Sequence, residues 1–551
     1  MNLFYEIELL EKPVQIGDRS YPRSVKVVEI LNRKKIRERY LGVVDKEEIY
    51  SRIEKREAVH YENVYIRDFS LTEYRRSRNL AEESDVAIAN FELSNCILDC
   101  DALIDFSYAL FEGHVDMNKT IFYHGTLDFS HAHFNGGFTD FTDCKFHTHN
   151  AIFQYAEFAG DRLSFERTDF TVELVSFINT TFKSETVNFK RVLFNECKVK
   201  FHFAEFGDGL KTFEKMKFFG SVLDFRRVIW GSGKIDFRRS IFGKGHITFE
   251  EMELDNAKMT FRLSIFEGGE LTFRRTNFGK EGEINLDHCK FGNRAISFEG
   301  CLAQKISITN SDIHSSLDLR IKKTDIIDLS SSYLHAITDL NFNKKDALKQ
   351  LIIVEVRNLG KIIIHWDKNN VKELITSQDC SDDEKADQFN IIKDNFTQNG
   401  QYSDEDWAYV NFKRYEHKVN LRKLREKLGR FAFLANIVYF FRKLVFDHIG
   451  LFATSPNRVL GSMIVVILGF ATIYAVFGLL GVGEIINSVG ALDQLNLFEK
   501  SVYHSAITFF TIGYGDFYPT SFNRTVSAME GWTGVFMMSY FTVAFVRKIL
   551  R

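Results

Sequence analysis

Near the C-terminus, a short run of residues combines glycines with a threonine and lies between two long apolar segments. The run consists of Thr511, Ile512, Gly513, Tyr514, Gly515 and Asp516. Backbone carbonyl oxygens are the groups that replace water around a dehydrated cation in a narrow path. Turning successive carbonyls to one side requires φ values that glycine adopts at little cost, which explains Gly513 and Gly515. The Thr511 hydroxyl adds one more oxygen, so the run predicts a cation-binding segment.

The pattern Thr-x-Gly-Tyr-Gly-Asp resembles the selectivity filter of tetrameric potassium channels. The resemblance implies a transported K⁺ held at Thr511, Ile512, Gly513 and Tyr514, in a filter that continues through Gly515 and Asp516. It also implies a homotetramer, because one chain supplies only one wall of a pore. The sequence departs from the common family pattern at Phe510, where a second threonine is usual, and at Tyr503 and His504, where an aromatic pair is usual. These departures put the stability and inactivation of the filter in question.

Two apolar segments flank this run, and each is long enough to cross a bilayer. Residues 459–483 contain no charge and exceed the roughly 20 residues that a spanning helix needs. Residues 525–546 form the second candidate, with Glu530 as its one charge. Between them, residues 498–510 predict a short re-entrant helix whose C-terminal end carries partial negative charge. The sequence therefore predicts two spans with a pore helix between them.

Charged residues predict the orientation of these spans. Basic residues lie before the first span and after the second: Arg442, Lys443, Arg458, Arg547, Lys548 and Arg551. The stretch between the spans is mostly acidic: Glu484, Asp493, Glu499 and Asp516. Because basic flanks stay on the cytoplasmic side, we expect a multi-pass protein of the plasma membrane with both termini in the cytoplasm.

Five residues of the second span are candidates for pore or gating roles. Glu530 is a functional candidate because an ionisable group within a span is costly, and the alternative is a structural brace behind the filter. Gly531 and Gly534 are candidates for a gating hinge, although glycine is common in membrane helices. Ser539 and Val543 are i, i+4 neighbours that could line the inner cavity.

The region before the spans repeats with a fixed period. Phenylalanine recurs every 12 residues from Phe129 to Phe273, and a second ladder follows five residues behind, from Phe134 to Phe278. An aliphatic residue precedes the first ladder by two positions, and a mostly small residue precedes the second by two. Inward residues two apart indicate strands, and a fixed period indicates units that stack on one another.

This unit resembles the pentapeptide-repeat family, which implies a right-handed quadrilateral β-helix. Two units, or 24 residues, make one coil. Residues 106–298 then give about eight coils at ~4.8 Å each, a rod of ~40 Å. We therefore expect a mixed β and α fold: a β-helix, a helical connector and a two-span α-helical pore.

Composition changes along the chain predict five regions. They are an N-terminal cap (1–61), the pentapeptide-repeat β-helix (62–335), a strand and helix C-terminal cap (336–402), a basic connector with interfacial helices (403–454), and the two-span pore domain (455–551). Residues 382–399 and 403–428 predict two helices, the second beginning with a capping box at Ser403. Residues 431–444 predict a helix lying in the inner membrane interface, where basic residues attract anionic lipids.

Basic residues follow the phenylalanine in several units of the repeat. Positions 24 apart share a face, which places Arg238 beside Arg262. This pair is a candidate anion or nucleotide site, and the alternative is a surface ladder of salt bridges. Acidic and basic residues of the repeat nearly balance, so the region is not a DNA mimic and no nucleic-acid partner is expected.

Together these patterns predict a non-enzymatic protein: a potassium-selective channel gated by or through its cytoplasmic repeat domain. No cofactor is expected beyond the transported K⁺, and the partners are membrane lipids and an unidentified ligand or protein on the β-helix. The alternatives are a membrane-anchored scaffold whose β-helix binds a protein partner, and a channel that acts as a stress or defence effector. Because the second span lies at the C-terminus of the sequence, we expect force from the repeat to reach the pore through the first span.

Overall fold

The computed structural model describes residues 3–293, 295–488 and 495–550. Asp493 and Arg551, which contribute to the predicted charge pattern, lie outside these residues. Contacts divide the chain into two units, Met1–Gln378 and Asp379–Arg551. The first unit is mostly strand and the second mostly helix.

The first unit begins with an antiparallel cap. Leu3–Leu10 pairs with Ser24–Leu31, which pairs in turn with Lys34–Val44. Lys34–Val44 then runs parallel to Val64–Arg67, the first strand of a coil on that face. The cap thus covers the end of the sheet, which would otherwise expose unpaired backbone groups. Its buried side chains form one cluster with the first coils: Tyr5, Val25, Val27, Leu41, Tyr65, Ile97 and Ile121.

The coils that follow form a four-sided β-solenoid of about 13 turns. Strands on each face pair in parallel with the strand one coil later. Ile121 lies opposite Lys145 and Thr126 opposite Asn150, a spacing of 24 residues in both cases. The predicted 24-residue coil is confirmed, and with it the mixed β and α fold.

The four faces of the solenoid differ in length. The 16-stranded face, including the cap, consists of Leu3–Leu10, Ser24–Leu31, Lys34–Val44, Val64–Arg67, Ile97–Asp99, Ile121–Tyr123, Lys145–His147, Asp169–Thr171, Leu193–Asn195, Lys217–Phe218, Ile241–Phe242, Ile265–Phe266, Lys290–Phe291, Asp312–Ile313, Tyr333–Leu334 and Arg357–Asn358. The 13-stranded face consists of Val59–Glu62, Phe91–Ser94, Val115–Asp116, Phe138–Asp140, Arg162–Ser164, Thr186–Asn188, Leu210–Thr212, Lys234–Asp236, Lys258–Thr260, Glu283–Asn285, Leu302–Ser307, Lys323–Asp328 and Leu348–Ile352. The 12-stranded face consists of Leu103–Asp105, Thr126–Asp128, Asn150–Ile152, Leu174–Ser176, Lys198–Lys200, Val222–Asp224, His246–Thr248, Leu271–Thr272, Ile296–Ser297, Leu317–Asp318, Ile337–Asp339 and Lys361–Ile363. The eight-stranded face consists of Val86–Ile88, Ala109–Phe111, His133–Phe134, Glu157–Phe158, Thr181–Phe182, Glu205–Phe206, Ile229–Trp230 and Glu253–Leu254.

Phenylalanine rings fill the interior of the solenoid. Phe153 stacks between Phe129 and Phe177, with ring centroids 5.2 and 4.8 Å apart and the planes nearly parallel. All three side chains are fully buried. The small position before each second-ladder residue also contributes, because Thr168 donates its hydroxyl to the Phe141 carbonyl at 2.8 Å. The interior is therefore both stacked and hydrogen-bonded between coils.

The corners of the coils depend on a feature that the glycine pattern did not predict. The residue two positions after each first-ladder phenylalanine has a left-handed φ between 53° and 62° and is not glycine. Such a φ is uncommon outside glycine, so the stacked coil around it must hold the conformation. These residues are His131, Asp143, Tyr155, Arg167, Asn179, Arg191, Phe203, Lys215, Arg227, Arg239, Glu251, Leu263 and Arg275.

The ladder of coils continues past residue 335, where the repeat loosens in the sequence. Tyr333–Leu334 pairs with Arg357–Asn358, and Ile337–Asp339 pairs with Lys361–Ile363. Leucine and isoleucine replace phenylalanine in these coils, so an inward aliphatic side chain is enough to maintain the stack.

All seven cysteines are free, and those of the solenoid are buried. Burial raises the pKa of the Cys197 thiol to about 12 and that of Cys144 well above its usual value. The thiolate is the reactive form, so these cysteines are packing residues rather than nucleophiles.

Short helices accompany the solenoid, and long helices build the second unit. In the first unit they are α1 (Lys46–Glu54), α2 (Leu71–Ser77) and α3 (Val371–Thr376). In the second they are α4 (Asp382–Gln398), α5 (Tyr402–Leu428), α6 (Ala432–Arg442), α7 (Pro456–Leu479), α8 (Leu497–Phe509) and α9 (Asn523–Ile549). Two antiparallel hairpins complete the strands: Val14–Ile16 with Arg19–Tyr21, and Ile485–Asn487 with Phe517–Pro519. The predicted capping box at Ser403 is wrong, because α5 begins at Tyr402 and Ser403 lies inside it.

Candidate functional site

The predicted cation-binding segment follows directly after α8. Its φ values are positive at every second residue: 57° at Thr511, 59° at Gly513 and 78° at Gly515. Alternating the sign of φ turns successive carbonyls to the same side of the chain, which is the geometry that a carbonyl-lined ion path requires. The left-handed φ of Thr511 is uncommon for a β-branched residue.

The segment is largely exposed in the single chain. Ile512 is 50% exposed and Tyr514 is 72% exposed, although both are large and largely apolar. An added Cβ at Gly513 or Gly515 would meet no atom within 4 Å. These glycines are therefore required by their backbone conformation and not by crowding within one chain.

Helix α8 aims its C-terminal end at the beginning of the segment. Its N-terminus is closed by a capping box between Asn496 and Glu499. At the other end, the backbone amide of Thr511 donates to the Thr508 carbonyl at 3.0 Å, and that of Ile512 to the Ile507 carbonyl at 2.8 Å. The partial negative charge at this helix end favours a cation beside it.

The outer end of the segment is held by side chains. Tyr503 donates its hydroxyl to Asp516 Oδ2 at 2.8 Å, linking α8 to the end of the segment. The Ser488 hydroxyl donates to the Gly515 carbonyl at 2.8 Å, and the Ser488 amide donates to the Asp516 carbonyl at 2.8 Å. The Gly515 carbonyl is thus engaged by Ser488, whereas the K⁺ positions implied by the resemblance end at Tyr514.

Glu530 lies behind the segment and is fully buried. Its carboxylate accepts a hydrogen bond from the Tyr474 hydroxyl of α7 at 2.6 Å and another from the Ser505 hydroxyl of α8. Glu530 therefore joins all three helices of the C-terminal region. These contacts favour the brace interpretation of Glu530.

A second set of polar contacts lies beside Glu530 and was not predicted. Ser527 Oγ lies 3.0 Å from the Tyr474 hydroxyl and 2.9 Å from His504 Nε2. The signal for this cluster was present, because Tyr474, His504 and Ser527 are polar residues within apolar stretches. Their spacing in sequence, however, does not reveal that they meet.

The two glycines of α9 differ in their surroundings. A Cβ on Gly534 would lie 2.0 Å from the Phe509 carbonyl oxygen, whereas one on Gly531 would meet no atom within 4 Å. Helix α9 runs unbroken through both positions. Gly534 thus permits a close approach of α9 to the end of α8, and the hinge remains a prediction. Ser539 and Val543, the predicted cavity residues, are both exposed in the single chain.

An ion-pair cluster connects the beginning of α5 to the end of α9, and we call it the clasp. Arg547 Nη2 lies 3.1 Å from Glu405 Oε1 and 3.3 Å from Asp406 Oδ1. Lys548 Nζ lies 2.8 Å from Asp406 Oδ2, and the Arg547 guanidinium lies 4.1 Å from the centre of the Tyr409 ring. The two acidic side chains are only 7% and 11% exposed. The expectation that the connector reaches the pore through the first span alone is therefore wrong, because α5 contacts the second span's helix directly.

The connector also contacts the chain just before α7. Arg414 donates to both carboxylate oxygens of Asp447, with a shortest distance of 2.8 Å. Val410 of α5 is buried against Leu451 and Phe452. Bidentate arginine pairs combine energy with a defined orientation, so α5 is fixed on the segment that leads into the first span.

Helix α6 leaves a broad apolar surface exposed. Phe433, Phe440 and Phe441 are each about 60% exposed or more. The opposite face packs against α5, where Ala435 is buried. A helix with one such apolar face matches the predicted interfacial position.

The two arginines of the candidate anion site both have carboxylate partners. Arg238 donates to Asp236 at 2.7 Å, and Arg262 Nε lies 3.0 Å from Asp287. This arrangement favours the salt-bridge ladder, and the anion site remains a prediction.

Comparisons with known proteins bear on the C-terminal region. Within the described residues, α7 is the one helix long and apolar enough to cross a membrane by length and composition. No curated protein and no solved structure matches the chain. Residues 462–551 match the family model described as "Ion channel". The chain therefore joins a four-sided β-solenoid, consistent with pentapeptide repeats, to an ion-channel domain at its C-terminus.

Proposed function

We propose that this protein is a potassium-selective channel of the plasma membrane that acts as a homotetramer. The observation that carries the proposal is the alternating φ at Thr511, Gly513 and Gly515, immediately after the C-terminal end of α8. This backbone presents several carbonyl oxygens in a row, and such rows select K⁺ by replacing its water shell. The match of residues 462–551 to an ion-channel family supports the proposal.

The exposure of the segment supports the tetramer. Ile512 and Tyr514 are large side chains left half or more exposed in one chain. Irregular backbone at membrane depth is tolerated only where protein surrounds it or water fills the space. Four copies around an axis meet both conditions, with carbonyls facing the path and side chains packed behind.

The clasp supports regulation of the pore through the connector. The chain leaves the solenoid unit at Gln378 and enters α4 and α5, and α5 holds Arg547 and Lys548 at the end of α9. In the proposed channel, this end of α9 surrounds the inner mouth of the pore. A displacement of α5 would therefore move the inner mouth directly, while the Arg414–Asp447 pair transmits it to the beginning of α7.

The orientation follows from the same elements. The clasp and the exposed aromatic face of α6 belong at the cytoplasmic surface, where α6 rests against lipid. The Ile485–Asn487 hairpin and the outer end of the filter then face outward. Cysteine accessibility at Asn487, compared with Glu426 of α5, tests this orientation with a reagent that cannot cross the membrane.

Reconstitution tests the function itself. Purified protein in liposomes should carry K⁺ in preference to Na⁺, and Gly513→Ala should abolish the flux, since alanine strains the left-handed φ of 59°. Gly469→Ala, in a part of α7 where a Cβ meets no atom within 4 Å, is the matched control and should conduct. A tetramer that never conducts, although folded, would favour the membrane-anchored scaffold. A monomer or dimer would contradict the channel proposal.

A further inference from the structure

Two histidines and an aspartate come together on the 16-stranded face of the solenoid, near its last coils. Asp312 belongs to the strand Asp312–Ile313, and the next strand on that face is Tyr333–Leu334. Their register pairs Ile313 with Leu334, so the residues that follow, His314 and His335, lie one above the other. The alignment of the two imidazoles is thus a product of coil stacking.

The ligand atoms of these residues are close and converge. Asp312 Oδ2 lies 3.2 Å from His314 Nε2, and Asp312 Oδ1 lies 2.8 Å from His335 Nε2. The rings stack with centroids 4.1 Å apart, and one ligand atom from each residue lies within 4.8 Å of the others. Zinc bonds of about 2.0–2.1 Å place tetrahedral ligands about 3.3 Å apart, so small side-chain rotations bring all three atoms onto one metal ion.

We propose that Asp312, His314 and His335 bind a divalent transition-metal ion, with zinc as the preferred class. Two imidazoles and one carboxylate form a three-ligand set that suits zinc, iron and nickel better than calcium or magnesium. The side chains are between 30% and 48% exposed, so solvent reaches the cluster and water can complete the coordination. The ion replaces the hydrogen bonds that now join the imidazoles to the carboxylate.

Bound metal would connect two consecutive coils. His314 and Asp312 belong to one coil and His335 to the next, and the ladder on this face ends one strand later, at Arg357–Asn358. An ion that binds only the folded coils stabilises them in proportion to its concentration. The site thus makes the stability of the C-terminal coils of the solenoid sensitive to metal.

One neighbouring charge opposes binding and provides a sensitive test. Lys290 lies opposite Asp312 on the preceding strand of the same face. Its positive charge lowers the affinity of the carboxylate for a cation, so Lys290→Gln should tighten metal binding by about two- to fivefold.

The experiment is a titration of the full-length protein with Zn²⁺ in competition with a chromophoric chelator, together with Co²⁺ absorption spectroscopy. We expect one ion per chain on nitrogen and oxygen ligands, without thiolate charge-transfer absorption. His314→Ala, His335→Ala and Asp312→Asn should each weaken binding more than tenfold. His246→Ala removes an exposed histidine that has a carboxylate, Glu270, at 3.2 Å but belongs to no such cluster, and should leave binding unchanged.

Thermal unfolding keeps the test independent of folding defects. Zn²⁺ should raise the unfolding temperature of the parent and of His246→Ala but not of His335→Ala, whose metal-free unfolding should match the parent. If His335→Ala is unstable without metal, Asp312→Asn supplies the same comparison. Absence of Zn²⁺ binding to the parent, or binding that survives all three substitutions, would overturn the proposal.

Discussion

Lys548 Nζ lies 2.8 Å from Asp406 Oδ2, which ties the last turn of α9 to the beginning of α5, 142 residues earlier in the chain. Asp406 is largely buried, and Arg547 bonds to the same carboxylate. Charges held in this way couple two helices more strongly than surface pairs do. The contact therefore gives the connector direct access to the helix that we propose lines the pore.

Reversing one charge of the clasp should disrupt that coupling. Asp406→Lys places a third cation beside Arg547 and Lys548, and we expect the C-terminal unit to lose about 1–3 kcal/mol of stability. The open probability in planar bilayers should change by about tenfold, the size of a typical coupling energy.

The reciprocal change identifies the cause. Asp406→Lys combined with Lys548→Asp should recover much of the stability and of the open probability, because the pair re-forms with opposite polarity. Glu416→Gln, which removes a carboxylate that pairs with Lys413 within α5, is the control and should have little effect. Equal effects of the control and of Asp406→Lys would contradict a specific role for the clasp.

Substitutions of the two α9 glycines separate a packing role from a hinge. Gly534→Ala should destabilise the C-terminal unit by about 1–3 kcal/mol, because its Cβ would lie 2.0 Å from the Phe509 carbonyl oxygen. Gly531→Ala has open space and should be neutral or slightly stabilising in a helix. Thermal unfolding measures both. A hinge at these positions would instead show as altered gating in both variants.

Glu530 should matter through its hydrogen bonds. Glu530→Ala leaves the buried Tyr474 hydroxyl without its 2.6 Å acceptor and should lower the stability of the assembled pore by about 2–4 kcal/mol. Glu530→Gln keeps an acceptor and a similar volume, so its loss should be smaller. The measurement is tetramer dissociation by heat, alongside K⁺ flux. If Glu530 instead acted through its charge in the ion path, Glu530→Gln would reduce flux as strongly as Glu530→Ala.

Lys211 is an exception within the solenoid interior. It stands two residues before Phe213, where other units have an aliphatic residue, and only 1% of it is exposed. Its ammonium donates to the carbonyls of Ser232 and Gly231 at 2.6 and 3.3 Å. Burial lowers the pKa of Lys211 to about 8 from its ordinary 10.5.

The lowered pKa predicts a pH dependence. Between pH 8 and 10.5 the unfolded chain retains a proton that the folded chain has released, so the contribution of Lys211 to the free energy of unfolding rises with pH. Lys211→Met should lack this rise and should stabilise the solenoid by about 1 kcal/mol at pH 7. Chemical unfolding followed by the β-sheet circular dichroism signal, at pH 7 and pH 10, measures both effects.

The repeat and the filter were readable from the sequence because each depends on local rules. The 12-residue spacing of phenylalanine specified the 24-residue coil, and the stacked rings of Phe129 and Phe153 follow from it. The glycine positions in the filter follow from the φ values that they adopt. Helices α7, α8 and α9 lie within a few residues of their predicted bounds, because apolar length and capping residues are also local signals.

The tertiary structure alone decided which distant residues meet. Glu405 and Asp406 read as ordinary acidic residues near a helix N-terminus, yet they hold Arg547 and Lys548. Glu530 read as an isolated charge, yet Tyr474 and Ser505 surround it. His314 and His335 gave no metal-binding spacing, and only the shorter coil between them brings their rings together. Periodicity and backbone preference are properties of neighbouring residues, whereas these contacts depend on how helices and coils pack, which no spacing along the chain encodes.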